Sequence, residues 1–174
     1  MRLGETPSQT VGPYLTIGLA WPDGAYVVPE DSAGSVWIDG TVYDGAGEAV
    51  TDALIETWQG PGRAWPRAVP GGGFAGFGRC PTDSCGAYRI LSRVPEPVDA
   101  QAPHIDVSVF ARGLLDRVVT RIYFPEHEPD NAGDPVLASV PEQRRHTLLA
   151  RRTGDGYSFD IRLQGADETV FFDV

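Results

Sequence analysis

The chain has 174 residues and a formal net charge of −10 at pH 7, and its length predicts one folded domain, or two at most. Hydrophobic residues make up 41% and charged residues 22% of the chain, which is typical of a globular protein. All fourteen basic residues are Arg and none is Lys, so chemistry that depends on lysine, such as Schiff-base formation, is excluded. The acidic balance disfavours nucleic acids and anionic membranes as partners.

Two cysteines, Cys80 and Cys85, are too few for a disulfide framework. The first fifteen residues contain no apolar core of signal-peptide length, and no window approaches the roughly 18 apolar residues of a membrane span. We therefore expect a cytoplasmic protein whose thiols are free.

The N-terminal residues 1–35 are predicted to form an extended arm, because four prolines spaced through them rule out a continuous helix. From residue 36 the hydrophobic period changes to two, which predicts an all-β, single-domain β-sandwich over residues 36–174. Strands are predicted at 35–43, 53–59, 86–91, 104–112 and 118–124, followed by a closing hairpin of 157–163 with 169–173.

Other stretches interrupt this pattern. Residues 60–79, which include three consecutive glycines at 71–73, are predicted to be a loop. A short helix is predicted near 134–149, where Asp134-Pro135 and Pro141 provide start signals. Trp37 and Trp58 occur at strand spacing and are predicted to lie in the core.

Polar residues alternate with apolar ones along 104–112, so His104, Asp106 and Arg112 are expected on one face of a strand. This face is either a metal or substrate site or a solvated sheet surface. A His-x-Asp pair could share a metal ion, but a two-His-one-carboxylate site needs a second His, and we expect His127 and His146 to be solvent-facing or structural. Arg112 could bind a carboxylate ligand bidentately, through two parallel N–H groups of its guanidinium, or it could form a structural ion pair.

Several segments, in order along nearly the whole chain, resemble the intradiol ring-cleavage dioxygenases, and among them the alpha-type subunits of the heteromeric members. The matching segments are Thr6–Tyr14, Gly40–Gly45, Glu56–Gln59, Phe77–Cys80, Ala102–Ile105, Phe110–Gly113, Thr120–Phe124 and Phe159–Asp173.

The resemblance implies a ferric iron that the family holds with two tyrosines and two histidines. His104 matches one histidine, but Asp106 stands at the position of the second. Ala64 follows the Gly62-Arg63 pair after which the family has a ligand tyrosine, and residues 95–103, which match the segment of the other tyrosine, contain none. The resemblance therefore implies a vestigial metal site, with no catalytic residue and no bound metal in this chain.

The same resemblance implies a partner. In the heteromeric members a beta subunit holds the Fe³⁺, and the complex uses O2 to cleave the aromatic ring of protocatechuate between its hydroxyls, giving 3-carboxy-cis,cis-muconate. The arm would pack on that partner and help wall its substrate pocket. The positions that match the pocket-lining residues of the alpha-type subunit are Thr10, Gly12, Pro13, Tyr14 and Arg112. The chain alone is expected to be inactive.

Two alternatives remain open from the sequence. One is a stand-alone metal enzyme that uses His104, Asp106 and a distant histidine. The other is a non-catalytic scaffolding sandwich. The aromatic-rich arm, together with Phe171 and Phe172, would supply apolar area for an obligate interface in the leading hypothesis.

Overall fold

In a computed structural model, residues 6–12, 14–20, 22–60 and 76–174 are described, and they form a sandwich of two β-sheets. This confirms the predicted fold class. The described strands are β1 (Val36–Tyr43), β2 (Leu54–Trp58), β3 (Phe77–Pro81), β4 (Ala87–Ser92), β5 (His104–Phe110), β6 (Val118–Tyr123), β7 (Arg151–Arg152), β8 (Gly156–Ser158) and β9 (Ile161–Arg162).

The first sheet has the strand order β4-β1-β8-β7, with β9 also paired to β1. Strands β8 and β9 both run parallel to β1, and β4 runs antiparallel to it. The second sheet has the order β3-β2-β5-β6 and is antiparallel throughout. His104 and Asp106 lie on β5 of this second sheet, and Arg112 follows the end of the same strand.

The main hydrophobic core lies between the sheets. In β5 the alternation expected from the sequence is present, because Ile105, Val107 and Val109 are buried while His104 and Asp106 on the other face are only partly covered. Burying one face of each sheet against the other is what stabilises a sandwich. The first sheet contributes, among others, Ile38, Val42, Ile90, Tyr157 and Ile161 to the same cluster.

Short helices cover part of the outer face of the second sheet. The α-helices are α1 (Leu15–Leu19), α2 (Glu128–Gly133) and α3 (Pro135–Ser139), and 3-10 helices span Pro125–His127 and Glu142–Leu148. A second hydrophobic cluster forms here from Ala102, Tyr123, Leu137, Val140 and Leu148. Among the described helices, none has the length and apolar character needed to cross a membrane.

The loop predicted over 60–79 ends earlier than expected, because Phe77–Pro81 is strand β3, paired with β2. The glycine at 78 is required by packing: a Cβ there would lie 2.7 Å from both Thr57 Oγ1 and Val27 Cγ2. Residues 61–75, which include the glycine run and Ala64, lie outside the described residues.

The N-terminal arm is not extended over its whole length. Helix α1 occupies Leu15–Leu19, because the stretch between Pro13 and Pro22 is long enough for one helical turn. Further on, Tyr26 pairs with Leu91 of β4 and Val27 belongs to the main core. The later part of 1–35 therefore packs against the sandwich.

The predicted C-terminal hairpin was also wrong. Only one rung links its two halves, where Thr169 N donates to Arg162 O and Arg162 N donates to Thr169 Oγ1. Phe172 instead bridges to Val119 of the second sheet. The chain thus crosses from one sheet to the other near its end, which a pattern of alternating residues does not reveal.

Trp37 and Trp58 are not core residues. Both are partly exposed on outward-facing positions of their strands. The Trp37 ring stacks under the Arg89 guanidinium, 4.2 Å from its centre, and the Trp58 ring contacts Phe77 with centroids 4.8 Å apart. Aromatic residues can satisfy strand propensity from either face of a sheet.

Candidate functional site

Arg112 lies at the tip of a tight turn that follows β5. The turn is closed by a hydrogen bond from Leu114 N to Ala111 O of 3.2 Å. Gly113 has a φ of +96°, in a region that L side chains rarely adopt. The occurrence of glycine after Arg112 is therefore explained by the backbone, because Gly113 permits the turn on which Arg112 is exposed.

The N-terminal arm is tied to this turn. Thr10 Oγ1 accepts a hydrogen bond of 3.0 Å from Gly113 N and a longer one of 3.5 Å from Gly12 N. Two segments separated by about a hundred residues, both singled out from the sequence, are thus brought together around Arg112. Pro13 lies outside the described residues.

The residues of this region are open to solvent. Thr10 is exposed and Gly12 is partly covered, while 76% of Tyr14 is accessible. Further apolar residues of the arm, Val11, Ile17 and Leu19, are also exposed. We call the region formed by Thr10, Gly12, Tyr14 and Arg112 the arm site. It presents polar and aromatic groups to the solvent.

Arg112 has one ion pair among the described residues. Its Nε lies 2.7 Å from Oδ2 of Asp52, and the two side chains are 62% and 29% exposed. The structural ion pair left open by the sequence is therefore present. Because the arginine remains well exposed, the ion pair does not exclude a second carboxylate from its guanidinium.

His104 and Asp106 lie at the other end of β5. His104 Nδ1 lies 2.7 Å from the carbonyl oxygen of Ala102 and, since a carbonyl only accepts, it carries the proton that it donates there. Its Nε2 faces Asp106, at 3.8 Å from Oδ1. That same Oδ1 lies 2.8 Å from Nε of Arg121, which stands opposite Asp106 in the β5–β6 register.

The guanidinium of Arg121 is therefore the cation of this group, which we call the Arg121 cluster (Gln101, His104, Asp106, Arg121 and Tyr123). Its Nη1 also donates to Gln101 Oε1 at 2.7 Å. A cleft of about 320 Å³ adjoins the cluster and is lined in part by Gln59, Gly60 and Val98.

The tyrosine of the cluster is not available as a phenolate ligand. Tyr123 is fully buried, and burial raises its pKa to about 12 despite the opposing effect of Arg121. Its hydroxyl lies 3.3 Å from Oδ1 of Asp134 and donates to it. Tyr123 thus remains a neutral hydrogen-bond donor near pH 7.

The Arg121 cluster does not fit the ferric iron that the family resemblance implies. One histidine and one carboxylate are present, the carboxylate is already paired with a guanidinium, and a fixed positive charge opposes a second cation at the same place. Among the described residues, no group of three or more His, Cys, Asp or Glu side chains could hold a metal ion. Ala64, the remaining candidate position, lies outside those residues.

The histidines proposed for a stand-alone metal site lie apart from the cluster. His127 Nδ1 is 3.1 Å from Asp130 Oδ2, and His146 is exposed with Nδ1 3.0 Å from Gln143 O. Each contact is local within its own short helical segment. The structure therefore gives no support to joint ligation with His104 and Asp106.

The arm site and the Arg121 cluster are separate. Asp106 lies within β5, whereas Arg112 lies in the turn beyond its C-terminal end, and the strand from Asp106 to Phe110 alone spans about 13 Å. An arginine side chain covers only a fraction of that length. Arg112 therefore cannot reach a ligand bound between His104 and Asp106 of its own chain.

Neither cysteine forms a disulfide. Burial raises the pKa of the Cys80 thiol, which makes it a poor nucleophile. Cys80 lines a larger cleft of about 510 Å³ with Asp39, Tyr88 and Asp160. The polar groups of that cleft are used structurally: Asp160 accepts from Thr41 N and Tyr88 donates to Phe159 O.

Two residues of these regions were missed in the sequence, Asp52 and Arg121. Both are defined by strand register: Leu54 pairs with Phe110, so Asp52 falls opposite Arg112, and Arg121 falls opposite Asp106. These pairs could have been found in the sequence by counting residues outward from each predicted turn, since residues of opposite charge at equal distances from a turn lie opposite each other on paired strands.

A scan against protein-family models gives no match. Curated relatives do match. The chain is 40% identical to the protocatechuate 3,4-dioxygenase alpha chain of Burkholderia cepacia, over 99% of this chain and 98% of the relative. It is 38% identical to the alpha chain of Pseudomonas putida, over 98% and 97%. The beta chain from B. cepacia is 35% identical over 76% of this chain and 65% of its own length.

Solved structures of dioxygenases also match this chain. The dioxygenase domain of a dioxygenase carbohydrate-binding protein fusion from Streptomyces sp. SirexAA-E superposes with a TM-score of 0.58 and 26% identity, covering 94% of this chain and 100% of that one. Catechol 1,2-dioxygenase from Pseudomonas arvilla C-1, at 22% identity and a TM-score of 0.53 over 82% of this chain and 56% of that one, shares the fold. The chain therefore belongs to the intradiol ring-cleavage dioxygenases, among the alpha chains of protocatechuate 3,4-dioxygenase.

Proposed function

We propose that this chain is the non-iron-binding subunit of a protocatechuate 3,4-dioxygenase and acts by completing the substrate pocket of an iron-bearing beta subunit. The complex would use O2 to cleave the ring of protocatechuate between its hydroxyls and give 3-carboxy-cis,cis-muconate. In this proposal the chain itself binds no iron and has no activity alone. Its contribution is substrate binding by Thr10, Gly12, Pro13, Tyr14 and Arg112.

The observation that carries the proposal is the separation of the arm site from the Arg121 cluster. The strand from Asp106 to Phe110 and the start of the next turn lie between Asp106 and Arg112, so Arg112 is out of reach of the Arg121 cluster, which supports a metal pocket in another chain as the one that it serves. The relatives include both alpha and beta chains, which supports a beta subunit as that other chain.

Charge and backbone chemistry support the role of the arm site. A guanidinium recognises a carboxylate through paired N–H groups, and protocatechuate carries one carboxylate beyond its two hydroxyls. The exposed arm brings a glycine with positive φ, Gly12, next to the turn that presents Arg112. Glycine lets a backbone approach a ligand closely. The exposed apolar residues of the arm are suited to burial against a partner.

The alternative of a scaffolding sandwich makes a different prediction for Arg112, which allows a direct test. The chain and its variants are co-expressed with the beta chain of the same organism, and KM for protocatechuate is measured on the purified complex. Arg112→Ala is expected to raise KM about 10- to 100-fold, since a hydrogen-bonded contact to a charged group contributes about 1.5–3 kcal/mol. Arg112→Lys keeps the positive charge but loses the paired N–H groups of the guanidinium. Its KM should therefore lie between those of the unaltered complex and the Arg112→Ala complex.

Arg151→Ala is the matched control, because it removes another exposed arginine with one longer ion pair, of 3.5 Å, on the first sheet. It should leave KM unchanged. If Arg112→Ala complexes of normal composition keep the KM of the unaltered complex, the scaffolding alternative replaces the proposal.

A further inference from the structure

We propose that Asp52 is a positioning residue for substrate binding, which holds the Arg112 guanidinium at Nε so that its outer edge meets the substrate carboxylate. The inference rests on the proposed function, because it concerns how Arg112 is prepared for that role. It adds a residue that lies outside every segment in which the family resemblance was found.

The register of the second sheet places these two residues together. Strands β2 and β5 pair with Leu54 opposite Phe110, Glu56 opposite Ser108 and so on along the ladder. Continuing the same count past the strand ends sets Asp52 opposite Arg112. Opposed residues on one face of an antiparallel pair have neighbouring side chains, and the 2.7 Å contact agrees with this placement.

The backbone on both sides of the pair is fixed. The residue after Asp52, Ala53, is fully buried and its N–H donates to Thr82 Oγ1 at 3.0 Å. On the other side the turn at Gly113 is held by Thr10. The Asp52 carboxylate is the less exposed partner of the ion pair. It is therefore the anchored group, and the arginine is the group whose position it sets.

The ion pair with Asp52 leaves part of the Arg112 guanidinium available for a ligand. The closest approach of Asp52 is at Nε, and within the described part of the chain Arg112 has no other ion pair. A free arginine side chain in an exposed turn samples many rotamers, and binding a carboxylate would freeze them. Restricting those rotamers beforehand lowers the entropy cost of binding the substrate.

Asp52 also offsets part of the arginine's charge, which would weaken attraction for an anion. The two effects can be separated by substitution. Asp52→Ala removes both the acceptor and the charge, whereas Asp52→Asn keeps an acceptor oxygen and removes the charge. Positioning predicts that only the first variant loses affinity.

The test measures KM and kcat for protocatechuate, and the anaerobic Kd, on complexes co-expressed with the beta chain. Asp52→Ala should raise KM and Kd by up to about fivefold, the range of an exposed ion pair, with kcat little changed. Asp52→Asn should keep the KM of the unaltered complex or lower it. In the Arg112→Ala background, Asp52→Ala should have no further effect, because its only route to substrate is already lost.

Asp155→Ala is the matched control, since Asp155 forms an exposed ion pair of the same length with Arg89 on the first sheet. It should reproduce any small loss of thermal stability without a change in KM. Asp52→Ser repeats the truncation with a polar residue in case the alanine variant does not assemble.

Each outcome separates the two claims. If Arg112→Ala raises KM but Asp52→Ala and Asp52→Ser do not, the positioning role is wrong and the proposed function stands. Equal losses for Asp52→Asn and Asp52→Ala, or additive losses on top of Arg112→Ala, also contradict positioning. An unchanged KM in Arg112→Ala overturns both.

Discussion

Arg121 gives the Arg121 cluster its chemical character. Its guanidinium pairs with Asp106 and hydrogen-bonds to Gln101. The positive charge in the cluster is therefore supplied by a side chain of the protein and not by a metal ion. An arginine stays protonated at any physiological pH. A metal ion would have to displace this ion pair before it could use the Asp106 carboxylate.

Restoring the family's histidine spacing should therefore not restore iron binding. Asp106→His gives a His-x-His pair, but Arg121 remains, and the resemblance implies no tyrosine at either of the family's other ligand positions. We expect the purified variant, incubated with ferrous iron in air and desalted, to retain only substoichiometric iron by elemental analysis. His104→Ala serves as the control for non-specific retention. One tightly held iron per chain in Asp106→His would show that the cluster is a metal site and that our account of Arg121 is wrong.

At the level of elements, Asp134 connects three parts of the fold. Its Oδ1 caps helix α3 by accepting from Val136 N and Leu137 N, both at 2.8 Å, and its Oδ2 accepts from Ala102 N. The side chain is fully buried. Asp134 thus fixes the segment before β5, and with it the start of the strand at His104, against the helices over the second sheet.

Removing this carboxylate should destabilise the chain. Asp134→Ala loses a helix cap and leaves the buried Ala102 N–H and the Tyr123 hydroxyl without their acceptor. We expect a loss of about 3 kcal/mol in the free energy of unfolding, measured by urea denaturation. Asp130→Ala, which removes an exposed carboxylate from α2, should change it by less than about 0.5 kcal/mol. Similar small effects for both variants would contradict the role given to Asp134.

Sequence reasoning succeeded for elements that pattern determines locally. The strict alternation of 104–112 predicted β5 and its polar face, and Asp134-Pro135 marked the start of α3. It failed where tertiary packing decides. Gly78 is typical of a loop in the sequence, yet it lies in β3. Glycine occupies this strand position because the core leaves no space for a Cβ there.

The candidate site shows the same division. Arg112 and the arm could be selected from the sequence through a family resemblance, but their contact through Thr10 and Gly113 could not, because about a hundred residues separate them. Asp52 and Arg121 required the strand register. The predicted hairpin at the C-terminus failed because residues 169–173 bridge to the second sheet, a long-range choice that period-two alternation does not encode.

At the scale of the whole molecule, one face of the second sheet carries two different regions. The Arg121 cluster at one end contains its own cation. The arm site at the other end has an exposed guanidinium, which in our proposal binds the substrate carboxylate, and among the described residues no group of side chains could hold a metal ion beside it. In the proposed function, a second chain supplies the reactive centre next to Arg112.

The most direct test of this account compares the chain alone with the chain co-purified with its beta partner. Iron content and protocatechuate-dependent O2 uptake are measured on both, and on the beta chain alone. We expect iron and activity in the complex, and neither in this chain by itself. Stoichiometric iron with protocatechuate turnover in the isolated chain would contradict the account and return the active site to His104 and Asp106.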